Sequence, residues 1–108
     1  MQNKIPTSFQ LGGITYKVVQ ADTRPEGIKD TCTGHIIYSK GLVEVFNNHV
    51  GYKCTDEYKQ LSFYHELFHA IFTTMGKEEM SGDEELVEGM ANMLHQFMKT
   101  AEYENTNS

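Results

Sequence analysis

Residues 65 to 69 read His65-Glu66-Leu67-Phe68-His69, two imidazoles and one carboxylate in the order H-E-x-x-H. On an α-helix, residues four apart share a face with Cβ atoms roughly 6 Å apart, so both rings can reach one cation. Glu66 lies about 100° around such a helix from His65, placed to work on a water beside that cation without being a ligand itself. The chemistry implied is zinc-assisted hydrolysis, with His65 and His69 as metal ligands and Glu66 as general base.

A catalytic zinc ion takes a third protein ligand and leaves a fourth position for water. Downstream donors are Glu84, Glu85, Glu88 and His95, all in a stretch of helical period that returns after a short link. Glu84 and Glu85 also suit the acidic first turn of a helix. Glu88 is preferred as the ligand: it lies one turn further in, beside Val87 and Met90, with Asn92 four residues later on its face. Asn92 is then a candidate to orient a ligand. Tyr64 and His95 are candidates for the same outer layer or for the oxyanion, with Tyr58 and Tyr103 as further hydroxyl donors. A second cluster, Cys32 and His35 with His49 and Cys54, has the residue types of a zinc ribbon but irregular spacing.

These groups need two helices and something to pack them on. Thr55 followed by Asp56-Glu57 predicts a helix start, and Gly76 a stop after Met75. Within that span Leu61, Tyr64, Phe68, Ile71, Phe72 and Met75 recur at helical spacing and predict the core stripe. Ser81-Gly82-Asp83-Glu84 has the form of a capping box, opening a second helix whose apolar residues Leu86, Val87, Met90, Leu94 and Phe97 run on towards Tyr103. Upstream, Phe9 to Leu11, a Gly12-Gly13 turn and Ile14 to Val19 read as a short and a longer strand. His35 to Tyr38 and Leu42 to Phe46 flank a Ser39-Lys40-Gly41 turn and read as a hairpin, the second strand offering an edge for extended substrate. Ala21 to Thr33 and Asn47 to Cys54 read as loops. The expected fold is α+β: a small, mostly antiparallel three-stranded sheet packed on two long helices.

With 108 residues the chain reads as a single domain over 1–108, with a loose lead-in over 1–8 and a loose tail over 104–108. A formal charge of -6 and a lone arginine, Arg24, argue against nucleic acid or an acidic membrane as partner. There is no basic, apolar leader and no run long enough to span a bilayer, so the chain reads as cytoplasmic, with Cys32 and Cys54 reduced. A secreted chain with one disulfide is the alternative.

From Gln10 to Leu94 the sequence resembles the compact zinc peptidases of the ImmA/IrrE type, known from phages and bacterial mobile elements, within the wider gluzincin group. His65-Glu66-Leu67-Phe68-His69-Ala70 and, after a short link, Glu88-Gly89-Met90-Ala91-Asn92 carry the resemblance, the second matching the family's E-x-x-A-N segment. It implies a minimal gluzincin-like core, His65, His69 and Glu88 as zinc ligands, Glu66 as general base, and a protein or peptide substrate. Phe68 stands where many relatives have Gly, and Phe72 excludes the H-x-x-G-x-x-H extension of the metzincins. A zinc protein with the same ligands and a structural or regulatory role, without turnover, is the alternative function.

Overall fold

The computed structural model describes residues 4–104. The alternation after Thr7 folds back at Gly12-Gly13, so that β1 (Ser8–Leu11) pairs antiparallel with β2 (Ile14–Ala21), Phe9 opposite Tyr16. Along β2, Tyr16 and Val18 are buried while Thr15, Lys17 and Val19 are exposed, the period-two signature of a sheet covered on one face. The expected hairpin forms as β3 (Gly34–Ile37), a 3-10 turn at Tyr38–Lys40, and β4 (Leu42–Phe46), with Ile36 opposite Val43. Gly41 is required there: its φ is +59°, and a Cβ would stand 2.6 Å from the Thr15 carbonyl oxygen.

That close approach occurs because β4 also runs parallel to β2, from Lys17 opposite Leu42 to Ala21 opposite Phe46. The sheet is therefore four-stranded and mixed, in the order β1-β2-β4-β3, rather than three-stranded and mostly antiparallel. The parallel pairing joins strands separated by a loop and another strand, and no local turn signal announces it. It also makes β4 an interior strand, with Val43 and Val45 fully buried, so extended substrate cannot pair with Leu42 to Phe46. The free edge on that side is β3. The expected loop from Asn47 to Cys54 instead holds a small hairpin, β5 (Asn48–His49) and β6 (Tyr52–Lys53).

Helix α1 (Asp56–Thr74) begins as expected, with the Thr55 hydroxyl accepting the Tyr58 N–H at 3.1 Å, and it stops before Gly76. No residue from 59 to 73 is exposed, because the sheet covers one side of α1 and the later helices another. Of the expected stripe, Tyr64 and Phe72 are buried and Leu61 and Phe68 pack against the core, while Met75 is 60% exposed; Phe63, Glu66 and Ala70 form a second buried line beside it. A short helix, α2 (Glu78–Ser81), occupies the expected link. Helix α3 (Glu84–Thr100) is capped by Asp83, whose carboxylate accepts the Leu86 N–H at 3.1 Å. Ser81 does not form the capping box: its hydroxyl turns inward and donates to the His69 carbonyl at 3.1 Å.

The result is an α+β fold of three helices and a mixed sheet, with Tyr16, Val18, Val43, Val45, Phe63, Tyr64 and Ala91 as its core. Part of the expected lead-in is held: Ile5 packs on the core, the Thr7 carbonyl accepts the Val18 N–H at 2.9 Å, and Ser8 belongs to β1. The rest of the lead-in (1–3) and the tail (105–108) lie outside the described residues. Among the described residues no helix is long and apolar enough to cross a membrane.

Candidate metal centre

His65 and His69 project from one face of α1 with ring centroids 4.9 Å apart and their Nε2 atoms 3.2 Å apart. The Glu84 carboxylate, from the first turn of α3, closes the group: one oxygen is 3.1 Å from His65 Nε2 and the other 3.3 Å from His69 Nε2. Metal bonds of about 2.0–2.1 Å in tetrahedral array separate neighbouring donors by roughly 3.3–3.4 Å. The Nε2–Nε2 separation is close to such an edge, each nitrogen has one of the two Glu84 oxygens at a similar distance, and two imidazoles with a carboxylate form a donor set that zinc accepts. Among the described residues this is the one trio of His, Cys, Asp or Glu gathered closely enough to hold an ion.

Glu88 stands one helical turn beyond Glu84 on the same face and meets the other nitrogen of His65, Nδ1, at 2.7 Å. A proton on Nδ1 donates to Glu88 and leaves the Nε2 lone pair directed at the trio, the arrangement by which outer carboxylates fix a ligand's tautomer. Asn92 supports Glu88 in turn, its amide donating to the Glu88 carbonyl at 2.9 Å and reaching Oε2 at 3.4 Å. The two carboxylates of α3 thus grip His65 from its two nitrogens. Glu85 is outside this group, and Glu84, which suits a helix start, supplies the carboxylate of the trio.

Glu66 is placed differently. It is 8% exposed, on the second buried line of α1, with β3 passing over it. A Cβ on Gly34 would stand 3.3 Å from Glu66 Cγ and 2.9 Å from the Glu44 carbonyl oxygen, so only a glycine lets the strand close on this carboxylate. Burial pushes the Glu66 carboxyl above the usual range, an effect that the neighbouring imidazoles of His65, His69 and His35 partly oppose. His65, Glu66, His69 and Glu84 line one cleft of about 600 Å3, walled opposite by Thr31 to Ile36.

Tyr38 enters the cleft from the turn after β3 and was not singled out by the sequence. Its hydroxyl donates to Thr73 Oγ1 at 3.3 Å; Thr73 and Ser81 hydroxyls are 2.9 Å apart, and Ser81 donates to the His69 carbonyl, a chain ending on a candidate ligand's backbone. Burial raises the Tyr38 phenol above its ordinary value. Nothing local marks Tyr38, since it reaches the cleft only through the packing of β3 on α1. His35 lines the cleft and is bound to Glu44 at 2.5 Å.

The other sequence candidates lie elsewhere. Tyr64 is 7% exposed in the core with its ring 5.9 Å from that of His95, and His95 reaches Gln60 at 3.3 Å; neither lines the cleft. Tyr58 lies in a groove beyond His65, and Tyr103 follows the end of α3 with 74% exposure. The ribbon cluster does not assemble: Cys32 Sγ is held on the Gly34 carbonyl at 3.1 Å, His35 on Glu44, and His49 packs on Tyr58. No family profile matches the chain, and neither a curated protein nor a solved structure is significantly similar to it. The functional reading rests on the geometry.

Proposed function

We propose that the chain is a zinc-dependent peptidase with a minimal gluzincin-like core, of the ImmA/IrrE type that its motifs resemble, acting in the cytoplasm on a protein or peptide. One observation carries the reading: two imidazoles and a carboxylate offer ligand atoms within 4.8 Å of one another, in a cleft that a buried carboxylate from the histidines' helix also lines. His65 and His69 hold the ion, Glu84 is the third ligand in this geometry, and Glu88 is the alternative third ligand if its side chain leaves His65 Nδ1 for the ion. Zinc bound there supplies a Lewis acid that acidifies a water and polarises a carbonyl.

Glu66 takes the proton of the attacking water and returns it to the leaving amine, a task suited to a carboxyl whose proton affinity burial has raised. Tyr38, which lines the cleft, is a hydroxyl donor for the oxyanion once its hydroxyl turns from Thr73. Strand β3 offers its free edge to an extended peptide. The free thiols of Cys32 and Cys54 fit a reducing compartment. A structural zinc site closes its fourth position with protein, whereas this trio opens onto the cleft.

The test is Glu66→Gln. Zinc content and fold are expected to be unchanged, while hydrolysis of a substrate found for the wild type falls by about 10²–10⁴. Unchanged hydrolysis by the zinc-loaded variant overturns the mechanism. Absence of hydrolysis by the wild type across varied protein substrates favours the non-catalytic zinc protein.

A further inference from the structure

The cleft does not end at His65. A smaller cavity of about 160 Å3 shares Thr33 and His65 with it and continues to Tyr58. Tyr58 in turn lines an open groove of about 290 Å3 along the β5–β6 hairpin, walled by His49, Val50, Tyr52 and Cys54. His49 and Tyr58 form a continuous ring surface there, centroids 5.6 Å apart. Lys53 is the one residue with a permanent charge in the lining.

The hairpin that walls this groove has an anomaly at its tip. Val50 and Gly51 form the two-residue turn with φ of +45° and +89°. Turns of this hand favour Asn-Gly, and a β-branched residue at positive φ is strained. Val50 is also 44% exposed, so its isopropyl group does not serve the core. Strained positions of this kind cluster at ligand clamps, and the neighbouring Tyr52 is 77% exposed beside it.

The hairpin is also fixed relative to the cleft. Arg24 donates to Asn48 Oδ1 at 2.7 Å and to the Asn48 carbonyl at 2.6 Å, and the same guanidinium reaches the Cys32 carbonyl at 2.8 Å. The Val50 N–H donates to the Asp30 carbonyl at 3.1 Å. One cation thus ties the hairpin to the segment that walls the cleft, so both ends of the groove keep a set spacing.

The geometry points to an apolar subsite along the β5–β6 hairpin that takes one aromatic or large aliphatic side chain of the extended peptide lying across the metal centre. The inference rests on the peptidase reading and adds a substrate class to it: peptides with such a side chain at a fixed distance from the scissile bond. Val50 and Tyr52 would set the preference, and Arg24 would hold the register.

The two free cysteines make the test. Cys54 lines the hairpin groove and Cys32 the cleft, so the alkylation rate of each by iodoacetamide, read by mass spectrometry, reports occupancy at each end. The zinc-loaded full chain is mixed with octapeptides that differ at one position, Phe, Leu, Ser or Lys, scanned along the peptide. Phe and Leu in one register are expected to slow Cys54 alkylation roughly tenfold or more relative to Ser and Lys. Val50→Gly, which relieves the turn, is expected to raise thermal stability, abolish that selectivity and leave protection of Cys32 intact. Protection of Cys32 alone overturns the subsite and leaves the peptidase reading standing. Selective protection of Cys54 by peptides that the same spectra show uncleaved supports the subsite and counts against the peptidase. Protection at neither thiol, or selectivity undiminished in Val50→Gly, overturns the subsite.

Discussion

Glu66 and Glu84 are carboxylates of one cleft, yet the first is 8% exposed beneath Gly34, whereas the second keeps 69% of its side chain in solvent. The α1–β3 wall is core: Glu66 shares its helix face with Phe63 and Ala70. The α3 wall is surface, with Glu88 also half exposed at 51%. Each placement suits a different task. A desolvated carboxyl gains proton affinity, which a general base needs, while a hydrated carboxylate can close on a cation without large packing changes. On the proposed reading, the proton-transfer half of the site is the buried one, and the third metal ligand comes from the solvent-exposed wall.

The largest effect that sharpens this contrast lies on the exposed wall. Glu84→Gln is expected to weaken zinc binding more than Glu88→Gln, because the former takes the charge from a donor of the trio and the latter from a support of His65. Loss of the support is expected to cost about 10–100-fold in affinity, and Glu85→Gln to leave affinity unchanged. Competition with a chelator measures all three. The reverse order for Glu84 and Glu88 would make Glu88 the third ligand in place of Glu84.

The buried wall is expected to be less forgiving of added volume. Gly34→Ala sets a methyl against the Glu44 backbone and Glu66, and is expected to cost about 1–3 kcal/mol by denaturant unfolding. A neutral effect would mean that β3 is not clamped on Glu66. At the foot of α1, Thr55→Ala removes the hydroxyl that accepts the Tyr58 N–H and is expected to cost about 1 kcal/mol by the same measurement.

The smallest effect is a pH-dependent one on the outer surface. Lys99, 2.6 Å from Glu57, holds that carboxyl below its ordinary value of 4.5. A lowered acid contributes stability above its unfolded value and loses it as pH falls through the folded one. The slight melting-temperature deficit of Glu57→Gln is thus expected at neutral pH and expected to shrink as pH falls below 4.5 through the lowered folded value.

What the sequence made legible was local. Thr55, Asp56 and Gly76 mark α1 because a cap and a left-handed stop are properties of a few adjacent residues. The β3–β4 hairpin is marked likewise. The β2–β4 parallel pairing is not, since it closes a long loop. Ser81 was misread for a similar reason: three hydroxyls meet there only after α2 folds against α1, and Asp83 caps in its place. At the site, the H-E-x-x-H order placed His65, Glu66 and His69 in one cleft, but the choice between Glu84 and Glu88 depends on how α3 lies across α1. Their i, i+4 spacing puts both on the same face.

The central claim is that one metal ion is held between α1 and α3 by His65, His69 and a carboxylate. Elemental analysis of the purified chain beside His65→Ala and His69→Ala tests it most directly. The account predicts stoichiometric zinc in the wild type and loss of most of it in both variants, with helical circular dichroism retained. Full zinc content in both variants, or a folded wild type that takes up no metal when zinc is supplied, would contradict it.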